Sequence, residues 1–197
     1  MSDSYLLLTP VLVLGVLALA GFVGCDKVFG LSHFSIDLPL VVGETLMTPR
    51  NDFTGWVGMA IVPQGEDRLV YAIARYCLPG NTGNHSVKIV DANGNDVPDT
   101  TTNVNLAGQT ANQFVYASLS GVTLKANLKY YVLSYETTGG DQFFDFTSTL
   151  VLSSDGFFNV TSAVFGDPTA TPSIPYTEMG GPNNSYGPLD IHYGKAD

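Results

Sequence analysis

The chain has 197 residues, of which 45% are hydrophobic and only 13% charged, with 18 acidic against 8 basic side chains and a net charge of −10. Such a surface repels phosphate backbones and anionic headgroups, which argues against nucleic-acid binding and against electrostatic adsorption to a lipid surface. The acidic residues are scattered rather than gathered in a block, a pattern that serves solubility better than it marks a site.

The first element is the run from Tyr5 to Cys25, YLLLTPVLVLGVLALAGFVGC, which carries no charge. From Tyr5 to Gly24 it is about long enough to cross a bilayer as a helix, which needs ~20 apolar residues. It also lacks the polar face expected of a buried amphipathic helix. Two readings follow for residues 1–24: an uncleaved membrane anchor, or a secretory signal removed at its small residues. The ending Phe22-Val23-Gly24-Cys25 resembles a bacterial lipobox, in which the cysteine becomes lipid-modified and forms the new N-terminus. Two features depart from that pattern: Phe22 stands where an aliphatic residue is usual, and Met1-Ser2-Asp3-Ser4 has no Lys or Arg. Either reading places the rest of the chain in the cell envelope, outside the cytoplasm and held to the membrane by its N-terminus. With Cys25 as the lipidation site, Cys77 is left in the apolar stretch LVYAIARYC as a small hydrophobe.

Residues 25–51 read as a tether and edge segment, with LPLVVG as a first edge strand, since Pro39 suits an edge or a strand start. From residue 52 to 193 the pattern is that of a β domain, with 194–197 as a tail. In WVGMAIV, Val57, Met59 and Ile61 share one face. In RLVYAIARYC, Leu69, Tyr71, Ile73, Arg75 and Cys77 do so. In SVKIVD, Val87 and Ile89 pair while Lys88 turns outward. QFVYASL, KYYVLSYE, FTSTLVL, FFNVTSAVF and LDIHY follow, rich in aromatic and β-branched residues. Between them stand a Pro-Gly-Asn loop at residues 78–84, the Asn93-Gly94 hairpin signal, and Gly139-Gly140-Asp141. Short strands with turn signals at this spacing predict an all-β fold, an antiparallel β-sandwich of jelly-roll type. Asp167 to Gly187 reads as a long irregular excursion before the last strand.

Several of these segments together, GWVGMAIVP, ARYCLPGNTGNHSVKIVDANGNDV, QFVYASLSGVTLKANLKYYVLSYETTGGDQFFD and NNSYGPLDIHY, resemble a β-sandwich module of secreted and surface bacterial proteins. The resemblance runs from Asp52 to Tyr193. Its marks are an Arg-bearing strand leading into a Gly-Asn loop, a His-x-Val-x-Ile-x-Asp strand, a Tyr-Tyr-Val strand and a Glu-x-x-Gly-Gly-Asp loop. Asn127 stands where a Gly is common. The resemblance implies a carbohydrate-binding-like or adhesive sandwich and brings no enzyme motif with it.

Individual residues sharpen this. Arg75 on an apolar face needs a partner, and Glu136 at a strand end is the natural one, giving a structural ion pair. His85, Asp141 and Asp145 make a poor catalytic or metal set, because three scattered histidines do not give the converging ligands that zinc needs. Asp91, Asn93, Asn95 and Asp99 are spaced like a calcium loop but lack its glycine and its closing glutamate, so a hairpin explains them better. No Gly-x-Ser-x-Gly and no phosphate-binding glycine loop occurs. No cofactor and no metal is expected.

Aromatic side chains stack on sugar rings, and acid or amide groups bind hydroxyls. Trp56, Asp141, Phe143 and Phe144 are therefore the candidate ligand-binding residues, the Phe pair because it follows the Gly-Gly-Asp turn where a loop tip is exposed. The sequence thus predicts a non-enzymatic binding or adhesion module whose partner is a glycan or another envelope protein. A structural envelope protein is the rival reading, and a hydrolase with an unrecognised site the third.

Overall fold

The computed structural model of the chain describes residues 38–169 and 176–196. The run from Tyr5 to Gly24 and Cys25 lie outside the described residues, and among those described no helix is long and apolar enough to cross a membrane. Among the described residues the secondary structure is entirely β, in fourteen strands. Three short strands come first, β1 (Leu38–Pro39), β2 (Val41–Thr45) and β3 (Pro49–Arg50). The long ones follow: β4 (Gly55–Pro63), β5 (Arg68–Cys77), β6 (Asn84–Asp91), β7 (Thr102–Asn105), β8 (Gln113–Leu124) and β9 (Tyr130–Glu136). The remainder are β10 (Phe143–Phe144), β11 (Thr149–Leu152), β12 (Phe158–Gly166), β13 (Thr177–Met179) and β14 (Leu189–Lys195).

These strands form antiparallel sheets. One has four strands in the order β1-β14-β5-β8, another six in the order β13-β12-β4-β9-β6-β7, and β10-β3 and β11-β2 make two small ribbons. The segment read as tether and edge therefore contributes three strands: β1 pairs with β14, β2 with β11, and β3 with β10. Pro39 sits on an edge strand, where its missing N–H costs no ladder bond. The stretch read as an irregular excursion contains β13, which pairs with β12 through Ala163–Met179 and Phe165–Thr177.

Both larger sheets supply one hydrophobic cluster. Met59, Ile61, Ile89 and Val132 enter it from the six-stranded sheet, and Val70, Ile73, Ile191 and Tyr193 from the four-stranded one. Each aliphatic side chain of this kind, taken fully out of water, contributes about 1.5–3 kcal/mol relative to exposure. Cys77 belongs to this cluster as a free, buried thiol. Burial pushes its pKa up, the state of an inert core cysteine.

Two facing assignments differ from the alternation read along the sequence. In β5, Val70 and Ile73 are both core residues, whereas Leu69 and Tyr71 are only half-buried. The ladder to β14 jumps from Ala72 to Val70, so Tyr71 is an extra, bulged residue that resets the alternation. In β6, Lys88 does lie opposite Val87 and Ile89, but it is buried. Its Nζ sits 4.3 Å from the Trp56 ring centroid and 2.8 Å from Asp96. That face of the six-stranded sheet has a cluster of its own, with Ala60, Val90, Tyr131, Leu133 and Tyr176.

The turn at Asp91–Asn95 is held by its own acid. Asp91 Oδ1 accepts from the backbone N–H groups of Asn93 and Asn95, and Oδ2 from the Asn95 amide. Only Gly94 of the Asn-Gly pair has a positive φ, 84°, so the turn is not the two-residue type in which both central residues do. Asp91 is committed to the turn, which accounts for the calcium-like spacing without an ion. Asn127 adopts φ 60°, the left-handed region that explains why glycine suits that position.

Candidate functional site

The strand ends of β5, β6 and β9 meet the segment 137–142, and there four charged side chains form a chain from the interior to the surface. Arg75, on β5 of the four-stranded sheet, reaches across to Glu136, on β9 of the six-stranded one. Nε and Nη2 each donate to one carboxylate oxygen at 2.9 Å. The two side chains are 0% and 1% exposed. Arg75 also donates to the carbonyls of Tyr76 and Gln142. Ser134 Oγ donates to Glu136 Oε1 at 2.8 Å.

His85, at the start of β6, continues the chain. Its Nδ1 lies 3.2 Å from Glu136 Oε2 and 3.3 Å from the Tyr135 carbonyl, and its Nε2 lies 3.0 Å from Asp141 Oδ2. Every neighbour of both ring nitrogens is an acceptor, so the imidazole satisfies all of them only as the doubly protonated cation. Burial opposes that charge, but the Glu136 and Asp141 carboxylates outweigh it and raise the His85 pKa. Burial likewise works against Glu136 and Asp141. The hydrogen bond from His85 holds both below the usual carboxylate range, helped by Arg75 at Glu136 and by two backbone N–H groups at Asp141.

Asp141 latches two loops together. Its Oδ1 accepts from Thr82 N at 3.1 Å and its Oδ2 from Gly83 N at 2.7 Å. Asn81 and Gln142 exchange a reciprocal pair beside it: Asn81 Nδ2 donates to the Gln142 carbonyl at 2.8 Å, and Gln142 N donates to Asn81 Oδ1 at 3.0 Å. Gly83 is required by close approach, since a Cβ there would stand 2.9 Å from Asp141 Oδ2 and 3.0 Å from His85 Nε2.

The latch forms one wall of an open cleft of about 510 Å³. Asn84, Ser86, Asn103, Thr137, Gly139 and Gly140 line it as well, together with the half-buried Tyr135. Trp56 lies edge-to-face against Tyr135, with centroids 5.1 Å apart. Of the sequence-derived ligand-binding candidates, Asp141 thus borders the cleft and Trp56 supports its aromatic residue.

Phe143 and Phe144 are not an exposed loop tip. They form β10, pair with Pro49 and Arg50, and are 1% and 8% exposed. Phe143 packs with Val57, Ala163 and Tyr186, and Phe144 with Tyr76 and Leu78. Neither ring can serve as an open stacking platform. Asp145 is apart from His85 and pairs with Arg50 instead, Nη1 to Oδ2 at 3.0 Å. Sequence reasoning missed the union of Arg75, Glu136, His85 and Asp141 in one network. The signal for it was the His that opens the β6 pattern together with the Glu-x-x-Gly-Gly-Asp loop. No group of acidic, His or Cys side chains arranged to hold a metal occurs among the described residues.

No protein-family model matches the chain, and no curated protein matches it either.

Proposed function

We propose that the chain is an extracytoplasmic binding module, tethered to the membrane by its N-terminus and built as an antiparallel, jelly-roll-like β-sandwich, that takes a neutral glycan in the cleft beside Asp141. The shared core of the two larger sheets supports the sandwich reading. The observation that carries the functional reading is the cleft itself. It is open, walled by amide, hydroxyl and backbone groups suited to sugar hydroxyls, and it has one aromatic ring for the apolar face of a pyranose. A chain of net charge −10 favours a neutral ligand over an anionic one. His85 supports a non-enzymatic role, because both of its nitrogens are held by internal acceptors and neither faces a nucleophile.

The direct test is a glycan array probed with the full chain in detergent micelles, alongside Tyr135→Ala and Asn103→Ala, both of which line the cleft. A glycan whose binding falls at least about tenfold in Tyr135→Ala is expected, the size of a lost stacking contact. Absence of any bound glycan, or binding indifferent to both changes, refutes the reading. The rival, an envelope protein that joins other chains, draws on β8. Its twelve residues contain no charge and no proline and pair on one side only, with β5. Concentration-dependent association without glycan binding favours that rival.

A further inference from the structure

The latch beside the cleft turns on a proton. Thr82, Gly83, His85 and Asp141 all line the cleft, and His85 ties the latch to the buried Arg75–Glu136 pair. Two cations and two carboxylates cancel there while the imidazole is doubly protonated, and losing one proton leaves a negative charge over. Glu136 and the Tyr135 carbonyl face the ring from β9, Arg75 from β5 and Asp141 from the 137–142 segment. β7, which sets Val104 opposite His85, and residues 81–83 bring no titratable side chain. Cys77 ends β5 as a thiol whose pKa burial pushes up.

The two ring nitrogens are not equivalent. Nδ1 has two acceptors, Glu136 Oε2 at 3.2 Å and the Tyr135 carbonyl at 3.3 Å. Glu136 is 1% exposed, so water does not replace a donor lost there. Nε2 has one acceptor, Asp141 Oδ2 at 3.0 Å, on a side chain that is 12% exposed and borders the cleft. The proton that leaves to solvent is therefore the one on Nε2. Its lone pair then stands against a carboxylate oxygen, and two acceptors at that distance repel. The same carboxylate is what holds Gly83 N at 2.7 Å and Thr82 N at 3.1 Å.

We propose that His85 is a proton-operated clasp on the cleft. With the imidazolium in place, Asp141 holds the 78–84 loop against the 137–142 segment. Loss of the Nε2 proton turns Asp141 out toward water, frees the Thr82 and Gly83 amides and lets the two walls part. The Nδ1–H bond and the Arg75–Glu136 pair stay made, and the Asn81–Gln142 pair, which carries no titratable group, remains as the hinge. The change is therefore local. Burial and the Arg75 charge oppose the cation, but the bonds to Glu136 and Asp141 outweigh them, so the closed form persists above pH 6.5 and opens in more alkaline solution. The clasp acts on the walls whatever the cleft takes; only its effect on binding rests on the glycan reading.

The test is a pH titration by NMR of the isotope-labelled full chain in micelles, with no ligand added. The ring nitrogen shifts of His85 mark its titration and should show a neutral ring protonated at Nδ1. Hydrogen exchange at the Thr82 and Gly83 amides is measured against Asn93 and Asn95 at each pH. Those two also donate to an aspartate, Asp91, but one held by Asn93 and Asn95 rather than by a histidine. The exchange ratio should rise at least about tenfold through the His85 titration, the worth of a lost hydrogen bond to a charged group. In His85→Gln the ratio should not change with pH. Should that variant not fold, the ratio and the ring shifts of the unaltered chain decide. A ratio that stays constant through the titration, or a neutral ring that keeps its proton on Nε2, overturns the inference. Because no ligand is used, failure of the clasp is told apart from failure of the glycan reading.

Discussion

Two carboxylates, Glu136 and Asp190, are equally hidden from water, at 1% and 0% exposure, yet their pKa values move in opposite directions. Glu136 meets a guanidinium and an imidazole. Asp190 is held mainly by dipoles: its Oδ1 accepts from Val41 N at 2.9 Å and Ile191 N at 2.8 Å, and its Oδ2 from the Tyr116 hydroxyl at 2.5 Å. Burial dominates at Asp190 and raises its pKa, whereas at Glu136 the hydrogen bond from His85 and the charge of Arg75 overcome the same penalty. Uncharged donors, with a smaller contribution from the charge of His192, therefore accompany a carboxyl group inside this fold at Asp190. The ionic chain at the other site does something further, which is to join the two sheets and fix the loops around the cleft.

Removing one end of that chain is the strongest way to test the contrast. Arg75→Met leaves Glu136 buried beside a single cation and strips the Gln142 and Tyr76 carbonyls of a donor, so a loss of about 3–5 kcal/mol is expected in urea unfolding. The paired substitutions Glu136→Gln and Asp190→Asn come next. The first leaves the Arg75 charge uncompensated and should cost about 2–4 kcal/mol. In the second, the new amide can still accept from both N–H groups and donate to the Tyr116 oxygen, so its cost at neutral pH should stay within about 1 kcal/mol. Equal losses for the two would erase the distinction.

The pH dependence separates the two sites through His85 and Asp190, whose pKa values are both raised, so that both lose stabilisation as pH rises, from different starting values. His85 has its pKa raised above the ordinary 6.5. Its stabilisation is complete below that value and is lost as pH climbs through the folded value, so stability should decline as pH rises above 6.5, and His85→Gln should flatten the decline. Asp190 also has a raised pKa, from an ordinary 3.8. Its contribution is complete below that value and falls as pH rises through the folded one, so Asp190→Asn should remove a slope that sets in as pH rises above 3.8. Gly83→Ala tests the latch directly, with an expected effect between those of Glu136→Gln and Asp190→Asn. The added methyl presses on Asp141 Oδ2 and His85 Nε2, at a cost of about 1–2 kcal/mol. It should also loosen the loop amides of residues 82–83, measured as faster hydrogen exchange there.

Much of this architecture is legible in the sequence because it is local. Strand positions follow from β-branched and aromatic runs, and turns from Gly, Asn and Asp. The need of Arg75 for an acid follows from its place on an apolar strand face. What resists reading depends on contacts between distant residues. The Tyr71 bulge arises in pairing with β14, and the burial of Phe143 and Phe144 in pairing with β3. Lys88 is hidden because Trp56 on a different strand lies against it. The Arg50–Asp145 contact joins residues 95 apart in the chain, which no periodicity announces. Asp141 was legible as a loop residue near aromatics, but its role as a latch requires the 78–84 loop to be beside it.

Whether the cleft beside Asp141 is the binding surface can be decided by titrating the isotope-labelled full chain with the glycan best bound on the array and following backbone amides. Saturable shifts are expected at Thr82, Gly83, Gly139 and Gly140, with Gly94 and Asn95 of the distant Asp91 turn unmoved. Shifts centred away from the cleft, or none at saturating glycan, would show that the binding surface lies elsewhere.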